Sequence, residues 1–96
     1  MPSAEAQFLD FASQANIRPG QFFGFPALKQ GGKTLALRDG KYFVFRLSDA
    51  DRDEALLLPE ASAWNPFGKA KRNWIQIGPA HEDKWPEYFA KALQNL

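Results

Sequence analysis

Two glycine-containing dipeptides, Gly31-Gly32 and Asp39-Gly40, interrupt residues 21–46, QFFGFPALKQGGKTLALRDGKYFVFR, between stretches of alternating apolar residues. Two-residue hairpin turns need positive φ, which glycine accepts freely and aspartate tolerates, so this run reads as a β-meander of three strands. In the second strand Leu35 and Leu37 alternate with Thr34, Ala36 and Arg38; in the third, Phe43, Phe45 and Leu47 alternate with Tyr42, Val44 and Arg46. Successive side chains of a strand point to opposite faces. The alternation therefore predicts one core face, and a second, mixed face presenting Arg38, Tyr42 and Arg46.

Helical signals flank the meander. Ser3 precedes Ala4, Phe8, Phe11, Ala12 and Ala15, an apolar stripe at helical spacing behind an N-cap residue, and Arg18-Pro19-Gly20 ends it. Ser48 is placed to cap a second short helix, with Asp49 favoured by the helix dipole, and Pro59 stops it after Leu56-Leu57-Leu58. Trp74-Ile75-Gln76-Ile77 reads as a late strand with a partner near Ala63-Trp64. A last helix begins near Asp83, tolerates Pro86 in its first turn, and buries Trp85, Phe89, Ala92, Leu93 and Leu96. The order is α-β-β-β-α-β-β-α. The expected fold is α+β: one domain over residues 1–96, with an antiparallel sheet (the three-stranded meander plus two later strands) and helices on one face.

Composition narrows the chemistry. Nine Phe, three Trp and two Tyr supply the core, and the absence of cysteine removes disulfides, thiolate nucleophiles and sulfur-rich zinc sites, which fits a reducing compartment. The first sixteen residues carry neither a basic leader nor a long apolar run, so the expectation is a soluble cytoplasmic protein. The net charge of +1 is too small to imply nucleic acid by itself. Its distribution is uneven: residues 18–48 hold six basic side chains against Asp39 alone, while residues 49–63 hold five acids against Arg52.

No catalytic or cofactor motif accompanies this pattern. His81 is the only histidine and has no cysteine or second histidine with which to complete a metal site or a relay. Asp49, Asp51, Asp53 and Glu54 lack the spacing of a calcium loop and read as a solvated helix start. Gly31-Gly32-Lys33 is followed by a strand where a phosphate loop needs a helix. An enzyme would need a polar pocket assembled from distant residues such as Arg18, Tyr42 and His81. The candidate site is instead a surface formed by Arg38, Tyr42 and Arg46 with Lys69, Lys71, Arg72 and Trp74. Aromatics interleaved with cations suit a protein partner or a homodimer face, and they also suit stacked bases and phosphates of nucleic acid.

Several stretches in this order resemble the superfamily that joins the TfoX N-terminal domain and the MmcQ/YjbR proteins. They are GFPALK at 24–29, Gly32-Lys33 with Leu35-Ala36, Asp39-Gly40 before residues 42–47, Leu58-Pro59-Glu60, NPFGK at 65–69 and RNWIQI at 72–77. The resemblance spans nearly the whole chain. It implies a compact α+β domain and no reaction, and in some relatives a link to regulation of DNA-uptake competence; no cofactor is expected, since no cofactor motif is present. The functional expectation is a small non-enzymatic interaction or regulatory domain, with a nucleic-acid-associated accessory factor as the alternative.

Overall fold

The computed structural model describes residues 4–66, 68 and 73–95. Helix α1 (Ala4–Gln14) leads into four consecutive strands, β1 (Gly20–Phe22), β2 (Phe25–Gln30), β3 (Lys33–Asp39) and β4 (Tyr42–Arg46). Helix α2 (Asp49–Ala55), strands β5 (Ala61–Ala63) and β6 (Trp74–Ile77), a 3₁₀ segment (Pro79–Lys84) and α3 (Trp85–Gln94) complete the order. All strands join one antiparallel sheet, β1-β2-β3-β4-β6-β5. The expected α+β domain is present, with one more meander strand than the glycine turns announce. The additional turn is Phe23-Gly24, where φ is 52° and 84°. Positive φ at both central residues makes this a hairpin turn of the same kind as Gly31-Gly32, at 61° and 79°, although its first residue is an aromatic.

A β-bulge decides which side chains reach which face. Leu28 pairs with Ala36 and Lys29 with Thr34, so Leu35 is the extra residue of β3. Across the bulge the alternation slips. Leu35 and Ala36 both join the core under the helices, whereas Leu37 lies on the opposite face with Ala27 and Val44. The expectation that Leu35 and Leu37 share a face is thereby corrected. In β4 the expected parity holds, with Phe43, Phe45 and, just after the strand, Leu47 all fully buried toward the helices.

The helix-side core is aromatic. Phe11 of α1 stacks on Phe89 of α3 with centroids 4.3 Å apart and meets Phe43 edge-on at 5.2 Å; Phe43 and Phe45 stack at 5.0 Å. Trp85 is fully enclosed and its indole N–H donates to the Ile77 carbonyl at 3.1 Å, so its polar atom is satisfied where it is buried. Ser48 caps α2 by accepting from the Asp51 amide at 3.2 Å. Leu93 packs partly buried against the core, while Ser3 and Leu96 lie outside the described residues.

Helices α2 and α3 are tied by charge. Lys91 donates to Glu54 at 3.1 Å, approaches Asp51 at 4.0 Å, and sits 5.1 Å from the Tyr88 ring centroid. The hydrogen bond to Glu54 raises the Lys91 ammonium above its ordinary value, and burial, reinforced by the Glu54 charge, raises the Tyr88 phenol. In both cases the unfolded chain releases its proton first as pH rises, so each group favours unfolding in alkali. The contribution of these two groups to stability should therefore be level below about pH 10, where both stay protonated in either state, and fall above it. The pair Lys91→Met with Tyr88→Phe should flatten that fall, as followed by melting curves at pH 9 and 11. Phe45→Ala should cost roughly 3–5 kcal/mol in denaturant titrations, because the side chain is wholly enclosed among rings.

Candidate interaction surface

The face of the sheet away from the helices is also apolar. Ala27, Leu37 and Val44 are fully buried on it, and Trp64, which follows β5, is fully buried over them. The Trp64 indole N–H donates to the Asp39 carboxylate at 3.0 Å. Its ring lies 5.4 Å from Phe25 of β2 and 5.9 Å from Trp74 of β6. Phe22 of β1 stacks on Trp74 at 5.2 Å with only 11° between ring planes. Strands β1 and β6 stand four places apart in the sheet, about 19 Å if it were flat at roughly 4.8 Å per strand. Ring contact across that span requires the sheet to twist and curl, with this face on the inside.

Curling closes the middle of the face and leaves its rim. Phe22, Phe25, Tyr42, Arg46, Trp74 and Gln76 are each partly exposed there. Register places Arg46 opposite Trp74 and Val44 opposite Gln76, and the Lys29 ammonium lies 5.9 Å from the Phe22 centroid. At the tip of the β1–β2 hairpin, Phe23 packs edge-on against Phe22 at 4.5 Å yet remains 59% exposed. It does so in the left-handed region, where a bulky side chain costs of order 1–3 kcal/mol and where asparagine or glycine is the ordinary occupant.

Of the residues expected to form a single surface, Tyr42, Arg46 and Trp74 share this face. Arg38 does not. It pairs with Phe43, on the helix side, and lines a cavity of about 330 Å³ with Ala4, Glu5, Pro79 and Trp85. The bulge at Leu35 is the cause, since it inverts the parity of everything that follows in β3. Arg38 donates to the Gly40 carbonyl at 3.4 Å, and its Nε is buried without a partner. Lys69, Lys71 and Arg72 lie outside the described residues.

The other candidates resolve into structural roles. Arg18 lines a groove of about 570 Å³ with Leu9, Ile17 and Pro19, and neither Tyr42 nor His81 belongs to it. Tyr42 stands against Gly78, while His81 occupies the 3₁₀ segment, its amide donating to the Gly78 carbonyl. Arg52 bridges Asp49 at 3.1 Å and Asp53 at 3.0 Å, and Asn73 donates to both Asp49 and the Leu47 carbonyl. Among the described residues no three His, Cys, Asp or Glu side chains gather as a metal site, and no helix is long and apolar enough to cross a membrane.

Phe22, Phe23 and Lys29 are the rim residues that sequence reasoning missed. The missed signal is the FFGF run itself: a glycine two residues after Phe22 permits a turn, but an aromatic as the first turn residue hides it. Compared with protein-family models, with curated proteins and with solved structures, the chain finds no match.

Trp64 is the test of this face. Trp64→Phe keeps most of the ring contacts but leaves the Asp39 carboxylate without its indole donor, which should lower stability by about 1–3 kcal/mol. Chemical denaturation should show that loss in full, and Asp39→Ala combined with Trp64→Phe should cost less than the two single changes added together.

Proposed function

We propose that this chain is a non-enzymatic cytoplasmic interaction domain of the TfoX N-terminal and MmcQ/YjbR type, and that it holds a protein partner at the β1–β2 hairpin tip. The observation that carries the reading is Phe23, kept in a left-handed turn and largely exposed to solvent. Local preference favours asparagine or glycine at such a position, and an exposed aromatic there offers a partner a large, rigid contact area. Its surroundings suit that role. Half-exposed Phe22 and Trp74, with Arg46 opposite, are residue types that dominate binding energy at protein interfaces. Polar groups of the kinds that serve reactions are held in structural bonds: Ser48 in a cap, Asn73 on Leu47, Asp39 on Trp64. The cysteine-free composition fits a reducing compartment.

A second reading, an accessory factor that binds single-stranded nucleic acid, draws on the stacked Phe22–Trp74 pair with Lys29 beside it. It is the weaker one, because Arg38 faces the other way and Asp39 adds a negative charge to the same face.

Phe23→Asn separates the fold from the contact. The change gives up the edge contact with Phe22 and relieves the left-handed strain, two effects of opposite sign, and melting curves check that the variant is folded. Proteins from the source cells retained by the immobilised domain should be released by this change, as read by quantitative mass spectrometry. An unchanged set of retained proteins would remove the proposal. Binding of short single-stranded DNA that weakens steeply between low and moderate salt would put the second reading first.

A further inference from the structure

The bulge that takes Arg38 off the concave face delivers it to the cavity of about 330 Å³ on the helix side. Ala4, Pro79 and Trp85 give that cavity apolar walls, and the Trp85 indole N–H is already engaged by the Ile77 carbonyl. Its charged groups are Arg38, Lys41 and Glu5, two cations against one carboxylate. Small-molecule sites have this character: a volume of about 300–1,000 Å³, a mostly apolar lining and a few polar groups that converge. The space is also far larger than one bridging water needs. A guanidinium carries five N–H donors. Among the described residues, that of Arg38 donates to the Gly40 carbonyl at a long 3.4 Å, and its Nε–H is shut off from solvent without an acceptor. Glu5 lines the same cavity, yet no ion pair joins it to Arg38 among the described residues. A charged donor left in this state is a cost that a suitable acceptor removes.

We propose that this cavity binds a small carboxylate with an apolar body, held by Arg38 through its Nε and one terminal nitrogen, with Lys41 as the second cation. A carboxylate is planar and presents two oxygens, the match to one edge of a guanidinium. A small turn of the Arg38 side chain, which the long Gly40 bond opposes weakly, puts the Nε–H onto one of those oxygens. The apolar body then lies against Ala4, Pro79 and Trp85. Inorganic phosphate meets the same cations but leaves those walls uncovered, and Glu5 repels a doubly charged anion more than a singly charged one. The site lies across the sheet from the rim and the concave face, so it stands apart from the reading of the hairpin tip.

The experiment is a titration of nitrogen-15-labelled protein with benzoate at low salt, read by NMR at the Arg38 Nε–H and the Trp85 indole N–H. Both signals should move along one saturating curve with a Kd of order 1 mM, the range open to a ligand of this size. Benzyl alcohol, which has the ring without the charge, should bind at least about tenfold more weakly, and so should inorganic phosphate. Arg38→Met should abolish the movement at Trp85 while melting curves show the fold kept, and Arg38→Lys should weaken binding because it keeps the charge and loses the fork. Glu5 and Lys41 are exposed, so their variants carry the test even where Arg38→Met does not fold. Lys41→Gln should raise the Kd roughly two- to fivefold, and Glu5→Gln should lower it by a similar factor. No saturating shift up to about 50 mM benzoate, some fifty times the expected Kd, overturns the proposal. Equal binding of benzyl alcohol does the same, since it marks a merely apolar hollow. Tighter binding of phosphate than of benzoate, or a Kd that Glu5→Gln leaves unchanged, also overturns it.

Discussion

A sheet that is apolar on both faces has to bury both, and among the described residues helices cover only one. Helices α1 and α3 cover Phe43, Phe45 and Leu47 on the first face, and Ala55 of α2 joins the same core. On the second face Ala27, Leu37 and Val44 are buried without any helix among their partners in the described residues. The solution is curvature. The sheet bends until Phe22 of its first edge strand stacks on Trp74 of β6, and the residue after β5, Trp64, fills the hollow. One indole N–H to Asp39 then fastens the late part of the chain to the meander, across twenty-five residues of sequence. The rim, the exposed tip and the cavity that takes Arg38 all follow from this bend and from the bulge beside it.

Most of the architecture was legible because it rests on local chemistry. Gly31-Gly32, the Ser48 cap, the Phe8-Phe11-Ala12 stripe and the Phe43-Phe45-Leu47 alternation each act within a few residues, and each appears where the residues place it. What failed was long-range parity. The bulge at Leu35 is a property of a strand pair, set by how Leu28 meets Ala36, and alternation within β3 alone contains no mark of it. Its effect on the candidate site is large relative to its size: one extra residue moves Arg38 to the opposite face and takes a cation from the surface that reading along the strand had assembled. Tyr42, Arg46 and Trp74 escape because β4 and β6 pair without interruption.

The missing strand has a different cause. Turn chemistry is recognised by glycine, asparagine and aspartate, and Phe23-Gly24 satisfies the rule at its second position only. An aromatic at the first position opposes the turn it occupies. The hairpin forms because Phe22 and Phe25 pair across it and both rings find aromatic neighbours on the concave face, Trp74 for one and Trp64 for the other. Tertiary packing thus overrides a local penalty at one residue.

That mismatch orders the functional arguments. Buried aromatics such as Phe11, Phe45 and Trp64 are accounted for by the cores they fill, so their presence says nothing about partners. An exposed leucine on a helix end is commonplace on protein surfaces and says little by itself. Phe23 differs from both, since it is strained by its backbone and still largely in water. Backbone strain of that kind concentrates at ligand clamps and switch regions, and an exposed ring at a hairpin tip is open to a partner.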